Sequence, residues 1–250
     1  MTWKRPSGPV HIWKKINIHD TNNVERKFTI QEISSDQYEE VVNHMSNIYT
    51  RYEPMTSCYN LAEDEKSLKD FQDIWNVMLQ QGISIAAYET IDESKTSILA
   101  GVNILYKSDN EFEKYMKKFQ VINNKISIFQ GESSKILFDF QNKCYEKLDP
   151  HELYGVDEYL GAFGLSVDLN YRQLGLGKIL LETRDDICRE YNIKYTSTFF
   201  TSSFAQKAAT HAGFTVKLDQ KFDNAIDKNG KKLFPKLSGK NCKLMDKKID

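Results

Sequence analysis

A chain of 250 residues is long enough for one compact domain with an insertion and short for two equal ones. Its 34 Lys and Arg are balanced by 35 Asp and Glu, leaving a net charge of −1 and excluding the basic field that draws nucleic acid. With 40 % hydrophobic and 12 % aromatic residues the chain can build a core, and no apolar run reaches the ~20 residues of a membrane span.

The first thirty residues carry Lys4, Arg5, Lys14 and Lys15 and no apolar stretch of signal-peptide length, which predicts a cytoplasmic protein. Residues 1–23 read as an N-terminal extension. Alternation from Lys27 to Ile33 predicts a strand, and Ser34, Ser35 and Asp36 offer caps for a helix reaching Arg51. Pro54 denies its predecessor helical geometry, so Tyr52–Asn60 reads as a loop. From Asp64 to Gln81, Leu68, Phe71, Trp75, Met78 and Leu79 recur at helical spacing, and Gly82 stops the run. Ile83–Tyr88 and Ser97–Tyr106 form a predicted hairpin around the polar turn Ile91–Lys95.

Residues 110–149 are dominated by helical patterning, with Phe112, Tyr115, Met116 and Phe119 in one stretch and Leu137, Phe140, Cys144 and Leu148 in another. They read as a helical insertion between strands. Tyr159–Val167 is a strand, Leu180–Tyr191 a helix, Ile193–Phe200 a strand, Phe204–Ala212 a helix closed by Gly213, and Phe214–Phe222 a strand. The order predicts an α/β fold with a mixed central sheet flanked by helices. Lys231, Lys232, Lys236, Lys240, Lys243, Lys247 and Lys248 read as solvated surface. Cys58, Cys144, Cys188 and Cys242 are far apart, and the five histidines are scattered, so neither a disulfide framework nor a metal site is expected.

Chemistry concentrates between the strand ending in Leu165-Ser166-Val167 and the following helix, in Arg172-Gln173-Leu174-Gly175-Leu176-Gly177-Lys178. Glycines let the backbone turn tightly enough for several N–H groups to converge, and a helix N-terminus adds partial positive charge. Together they make a seat for phosphate, with Arg172 and Lys178 as full charges. The spacing fits neither G-x-x-x-x-G-K-[ST] nor G-x-G-x-x-G, which sets aside a Walker loop and a dinucleotide fingerprint.

R-x-x-G-x-G between an apolar strand and a helix resembles the acetyl-CoA pyrophosphate loop of the GNAT superfamily of N-acetyltransferases. Thr196–Phe200 and Ala212-Gly213-Phe214 continue the likeness in order and spacing. Leu165-Ser166-Val167-Asp168 with Asn170-Tyr171-Arg172, Glu53-Pro54, Thr201-Ser202-Ser203 and the stretch from Gly230 to Phe234 resemble the insect arylalkylamine, or dopamine, N-acetyltransferases. The resemblance implies one GNAT acyl-CoA N-acyltransferase domain over residues 1–250, acting as a monomer without metal. Its reaction would be direct acetyl transfer from acetyl-CoA to a small amine of the dopamine, serotonin or tryptamine type. A polyamine or other alkylamine acceptor is the alternative, as is a CoA-binding module without activity.

An alkylamine with a pKa of about 10.4 must lose a proton before it attacks, so a base is needed. The resemblance implies Glu53 for it; without the resemblance, Glu53 is a solvated residue beside a proline. It also implies that Leu165, Ser166 and Val167 hold acetyl-CoA through their main chain, with a backbone N–H facing the thioester oxygen. Ser202, then Ser203, is implied as proton donor to the departing thiolate, although a Ser before a helical run is equally a cap, and the second serine of the family pattern falls at Ala205. Tyr52, Met55 and Tyr59, with residues 110–149, could line an apolar slot for the acceptor or belong to the core. Cys58 has no His near it to support an acetyl-cysteine route and reads as an apolar loop residue.

Overall fold

The computed structural model describes residues 3–91, 97–121, 126–127 and 129–250. Most of the predicted turn Ile91–Lys95 lies outside them. Ten strands appear: β1 (Ile12–His19), β2 (Glu25–Glu32), β3 (Ile85–Thr90), β4 (Ser97–Asp109), β5 (Gln120–Val121), β6 (Ile126–Ser127), β7 (Glu158–Val167), β8 (Tyr195–Phe200), β9 (Thr215–Lys221) and β10 (Asn241–Lys248). Eight of them form one sheet in the order β1-β2-β3-β4-β7-β8-β10-β9. Neighbours are antiparallel throughout except β7 and β8, which run parallel. The mixed α/β architecture expected from the sequence is present.

The helices are α1 (Tyr38–His44), α2 (Thr50–Tyr52), α3 (Pro54–Cys58), α4 (Glu65–Leu79), α5 (Asn110–Phe119), α6 (Glu132–Tyr145), α7 (Pro150–Tyr154), α8 (Leu176–Glu190) and α9 (Ser203–His211). On one face of the sheet, Leu176, Leu180, Ile187 and Cys188 of α8 pack against Leu105 of β4 and Leu160 and Ala162 of β7. The other face carries the aromatic core: Phe71 and Trp75 of α4 and Phe138 and Phe140 of α6 close over Val102, Ile104 and Tyr106. Phe112, Phe129, Leu137, Phe138, Phe140 and Cys144 of the segment 110–149 are therefore buried in the same core as α4 and the sheet. Asp70 of α4 fixes them, accepting hydrogen bonds from the backbone N–H of Gln130 (3.1 Å) and Gly131 (2.9 Å) and from the Ser134 hydroxyl (2.5 Å). No helix among the described residues is long and apolar enough to cross a membrane.

Four expectations are corrected. Residues 1–23 include β1, which extends the sheet by pairing with β2. Tyr52–Asn60 is not all loop: Glu53 is extended (φ −72°, ψ 132°), as a residue before proline should be, but Pro54 then starts α3, because a ring that breaks a helix interior is preorganised for its first residue. The insertion is not purely helical, since β5 and β6 form a two-residue ladder between α5 and α6. At the Lys-rich end, Lys231, Lys232, Lys236, Lys240 and Lys248 are exposed as expected, but Lys243 and Lys247 are half-buried on β10, which is threaded between β8 and β9 and buries Cys242, Leu244 and Met245. Lys247 there bonds Asp185 (2.5 Å) and the Ala212 carbonyl (2.8 Å).

Candidate active site

The sheet opens at one place. β7 and β8 pair only at Leu160 with Thr196, whereas on its other edge β8 pairs with β10 along its whole length. A bulge lies farther along β7, where Asn103 pairs with Leu165 but Leu105 pairs with Ala162, leaving one extra residue on β7. Gly164 sits in the bulge with φ 129°, and a Cβ there would come within 2.4 Å of Met45 Cε. The carbonyls around it are both held: Trp75 Nε1 donates to Phe163 O at 3.1 Å and Asn103 Nδ2 to Gly164 O at 2.9 Å. In a trans peptide the N–H points opposite to the C=O, so these bonds aim the Gly164 N–H away from Trp75 and the Leu165 N–H away from β4. Trp75 and Asn103 carry no local sequence signal for this role, which arises only from strand pairing.

The glycine-rich turn follows β7. Tyr171 is buried and anchors its start by donating to Glu89 Oε2 (2.9 Å), which also pairs with Arg26. Gln173 (φ 69°) and Gly175 (φ 79°) both take left-handed backbone, and α8 begins at Leu176, four residues earlier than the periodicity indicates, with no side-chain cap. Successive turn N–H groups and an uncapped helix N-terminus make an anion nest. Leu174 and Leu176 tie the turn to the core, while Arg172, Gln173 and Gly175 are exposed. The Arg172 guanidinium lies 4.8 Å from the Tyr52 ring centroid, and Lys178 pairs with Glu182 at 2.7 Å. Tyr52 thus sits beside the glycine-rich turn.

Opposite the open strands, Tyr38–His44, a π-helical turn over Met45–Tyr49, and α2 run on continuously into Glu53. Glu53 caps α3, accepting from Met55 N (3.0 Å, Oε1) and Thr56 N (2.7 Å, Oε2). Thr201, the first residue after β8, donates to Glu53 Oε1 at 2.5 Å. The carboxylate is therefore strapped to the end of β8, one residue from Ser202. Thr201 is the member of Thr201-Ser202-Ser203 that reaches Glu53, although only the serines were singled out from the sequence. Ser202 caps α9 by accepting from Ala205 N (3.1 Å), which leaves its own proton free to donate, and Ser203 is exposed. Met55 is buried in the aromatic core. Tyr59 packs edge-on against Phe234 and donates to the Leu233 carbonyl (2.7 Å). Of the three proposed slot residues, Met55 and Tyr59 thus share one core cluster, while the exposed Tyr52 stands apart against Arg172. The aromatic surface on this side of the sheet is instead Phe163 of β7, stacked on Phe138 at 5.4 Å, and Phe199 of β8, flanked by Phe140 and Tyr145.

His44 joins α1 to β7 through a 2.9 Å hydrogen bond between Nε2 and Ser166 Oγ. Burial pulls its pKa down to about 4, against a smaller opposing pull from Asp168. A histidine whose folded pKa lies below its unfolded value supplies stability that is complete above the unfolded pKa and is lost as pH falls toward the folded one. Melting temperature should therefore decline between about pH 6.5 and pH 4 more steeply in the wild type than in His44→Gln, and parallel curves would contradict it. Among the described residues, no group of three or more His, Cys, Asp or Glu is placed to hold a metal ion, and all four cysteines are free thiols.

Solved structures share this fold. The fold is that of the GNAT N-acetyltransferases. The candidate arylalkylamine N-acetyltransferase 7 of the yellow fever mosquito Aedes aegypti superposes with a TM-score of 0.85 over 100 % of both chains at 24 % identity. Arylalkylamine N-acetyltransferase 2 of Aedes aegypti gives a TM-score of 0.76 over 89 % of this chain and 99 % of its own, also at 24 % identity. A Drosophila melanogaster polyamine N-acetyltransferase that forms N-acetylagmatine gives 0.72 over 89 % and 100 % at 14 % identity. No protein-family model and no curated protein matches the sequence.

Proposed function

We propose that this protein transfers the acetyl group of acetyl-CoA to the primary amine of an arylalkylamine, by direct attack with both substrates bound. The observation that carries the reading is the linkage of three features by contacts: the turn from Arg172 to Lys178 meets Tyr52 through Arg172, Tyr52 precedes Glu53, whose carboxylate is strapped to Thr201 at the end of β8, and the bulge at Gly164 lies against Met45 and Tyr49 of the same helical run. The nest suits a pyrophosphate, with Leu165, Ser166 and Val167 leading from it toward the bulge. The N–H groups of Gly164 and Leu165 suit the thioester oxygen, which gains negative charge as the amine adds. Glu53 uses three of about four carboxylate acceptor positions on its own backbone and Thr201, leaving one on Oε2 for an incoming ammonium. Ser202 has a proton to give to the departing sulfur.

An aromatic acceptor is favoured over a polyamine by the half-buried rings of Phe163 and Phe199, backed by Phe138 and Phe140 of the core, on the side from which the amine would come. Ring burial contributes about 25 cal/mol per Å² of apolar area, whereas extra ammonium groups would lose hydration there. Comparing kcat/KM across matched amines tests the acceptor. Tryptamine or dopamine should exceed spermidine and putrescine by at least about tenfold, a difference of about 1.4 kcal/mol. The reverse order would assign a polyamine acceptor, and CoA binding without turnover on any amine would leave a binding module.

A further inference from the structure

Arg184 of α8 is 0 % exposed, and among the described residues it forms no ion pair. The neighbouring carboxylate, Asp185, is engaged by Lys247. The guanidinium is lodged where β7 and β8 part: Nη2 donates to Leu160 O (2.8 Å) on β7 and to Ser197 O (3.4 Å) on β8, and Nη1 donates to Thr198 Oγ1 (2.7 Å). Leu160 is the last β7 residue paired with β8. Splaying two strands strips carbonyls of their ladder partners, and Arg184 supplies donors at the apex of the split. A neutral amide could do that much. A full buried charge is costly unless something opposite in sign answers it.

Among the described residues that charge is answered only in part: the Phe214 ring centroid lies 5.3 Å from the guanidinium, and Asp185, the carboxylate that acts on it, is shared with Lys247, so the three charged groups keep one net positive charge. The Cys188 thiol on the same helix is pushed up to about 12 by burial, and Tyr106 and Tyr145 across the sheet are held protonated by burial. Arg184 itself is lowered to about 10, so it stays protonated. Its Nε has no partner. A net positive charge thus stands where β7 and β8 part, with the anion nest following the far end of β7.

We propose that Arg184 is a positioning residue for acetyl transfer, wedging β7 and β8 apart and setting a positive potential that favours negative charge on the thioester oxygen and then on the leaving CoA sulfur. The inference rests on the reading of this cleft as the acetyl-CoA site. In the step concerned, the amine nitrogen bonds the acetyl carbon and the carbon–sulfur bond breaks. The sulfur keeps the bonding electron pair, and the proton shed by the amine passes to Glu53 or to water. Arg184 exchanges neither proton nor electron.

The test uses CoA itself, whose thiol is the leaving group, and reads the ultraviolet absorbance of the thiolate while pH is varied with the protein saturated. Bound to wild-type protein the thiol should titrate about one unit below the value measured for free CoA, a tenfold gain in thiolate at fixed pH. Arg184→Gln keeps a donor for the carbonyls but not the charge, and should return the thiol to its free value or above; Arg184→Lys should keep it low. CoA affinity near pH 6, where the thiol is protonated, should agree within about twofold among the three, separating a field effect from a collapsed cleft. A wild-type shift that survives Arg184→Gln overturns the proposal. So does a bound thiol that titrates at or above the free value in the wild type, a result that does not depend on any variant folding. Failure of the wild type to bind CoA would bring down the acetyl-transfer reading and this inference with it, whereas binding without a shift brings down the inference alone.

Discussion

Glu53→Gln is expected to lower kcat by about 10²- to 10⁴-fold at pH 7 while leaving CoA affinity within about twofold. The substitution is less innocent than it looks on paper. Glu53 receives N–H groups on both oxygens, from Met55 and Thr56, so a glutamine must turn an NH₂ toward a backbone donor or give up one of them. Loss of a cap costs about 1 kcal/mol, so a lower melting temperature is expected as well. The two roles separate in the pH profile. If Glu53 takes the proton, the deficit in kcat/KM shrinks as pH rises, because more of the amine is already neutral. If it only caps α3, wild type and variant keep parallel profiles. Thr201→Val supplies the complementary measurement: it removes one donor from Oε1 without touching the cap, and its effect should fall on kcat more than on stability.

The helical and strand patterns of α4, α8, β3, β4 and β7 were legible because each depends on spacing within one segment. The glycine-rich turn was equally local, since left-handed backbone at Gly175 and an uncapped start to α8 are consequences of the glycine pattern itself. Glu53 and the Thr201-Ser202-Ser203 run stood out only by resemblance, and the sequence alone leaves Glu53 a surface residue. What places it is the Thr201 hydroxyl, 148 positions away in the chain. β10 escaped notice because lysines at 243, 247 and 248 and Asp246 surround Leu244 and Met245, so the segment reads as charged until β8 and β9 cover it. Trp75, Asn103 and Arg184 belong to the same class. An arginine in an amphipathic helix is ordinarily solvated, and only the split between β7 and β8 provides the carbonyls that make its burial tolerable.

Gly177→Glu should weaken CoA binding by at least about 10²-fold while leaving the melting temperature unchanged or slightly raised. Of the two glycines in the turn this is the cleaner probe. Gly175 has φ +79°, so any side chain there strains the backbone and confuses lost folding with lost binding. Gly177 lies inside the first turn of α8, and a Cβ placed on it meets only Val167 Cγ2, at 4.0 Å. A glutamate at that position adds a negative charge to the positive end of a helix dipole, which favours the folded state by about 0.3–1 kcal/mol. The same carboxylate would occupy the space over the nest and repel a pyrophosphate there. Binding and stability should therefore move in opposite directions, a pattern that general damage to the fold does not produce. Isothermal titration with CoA beside a thermal melt decides the matter, and an unchanged affinity in the folded variant would place the pyrophosphate elsewhere.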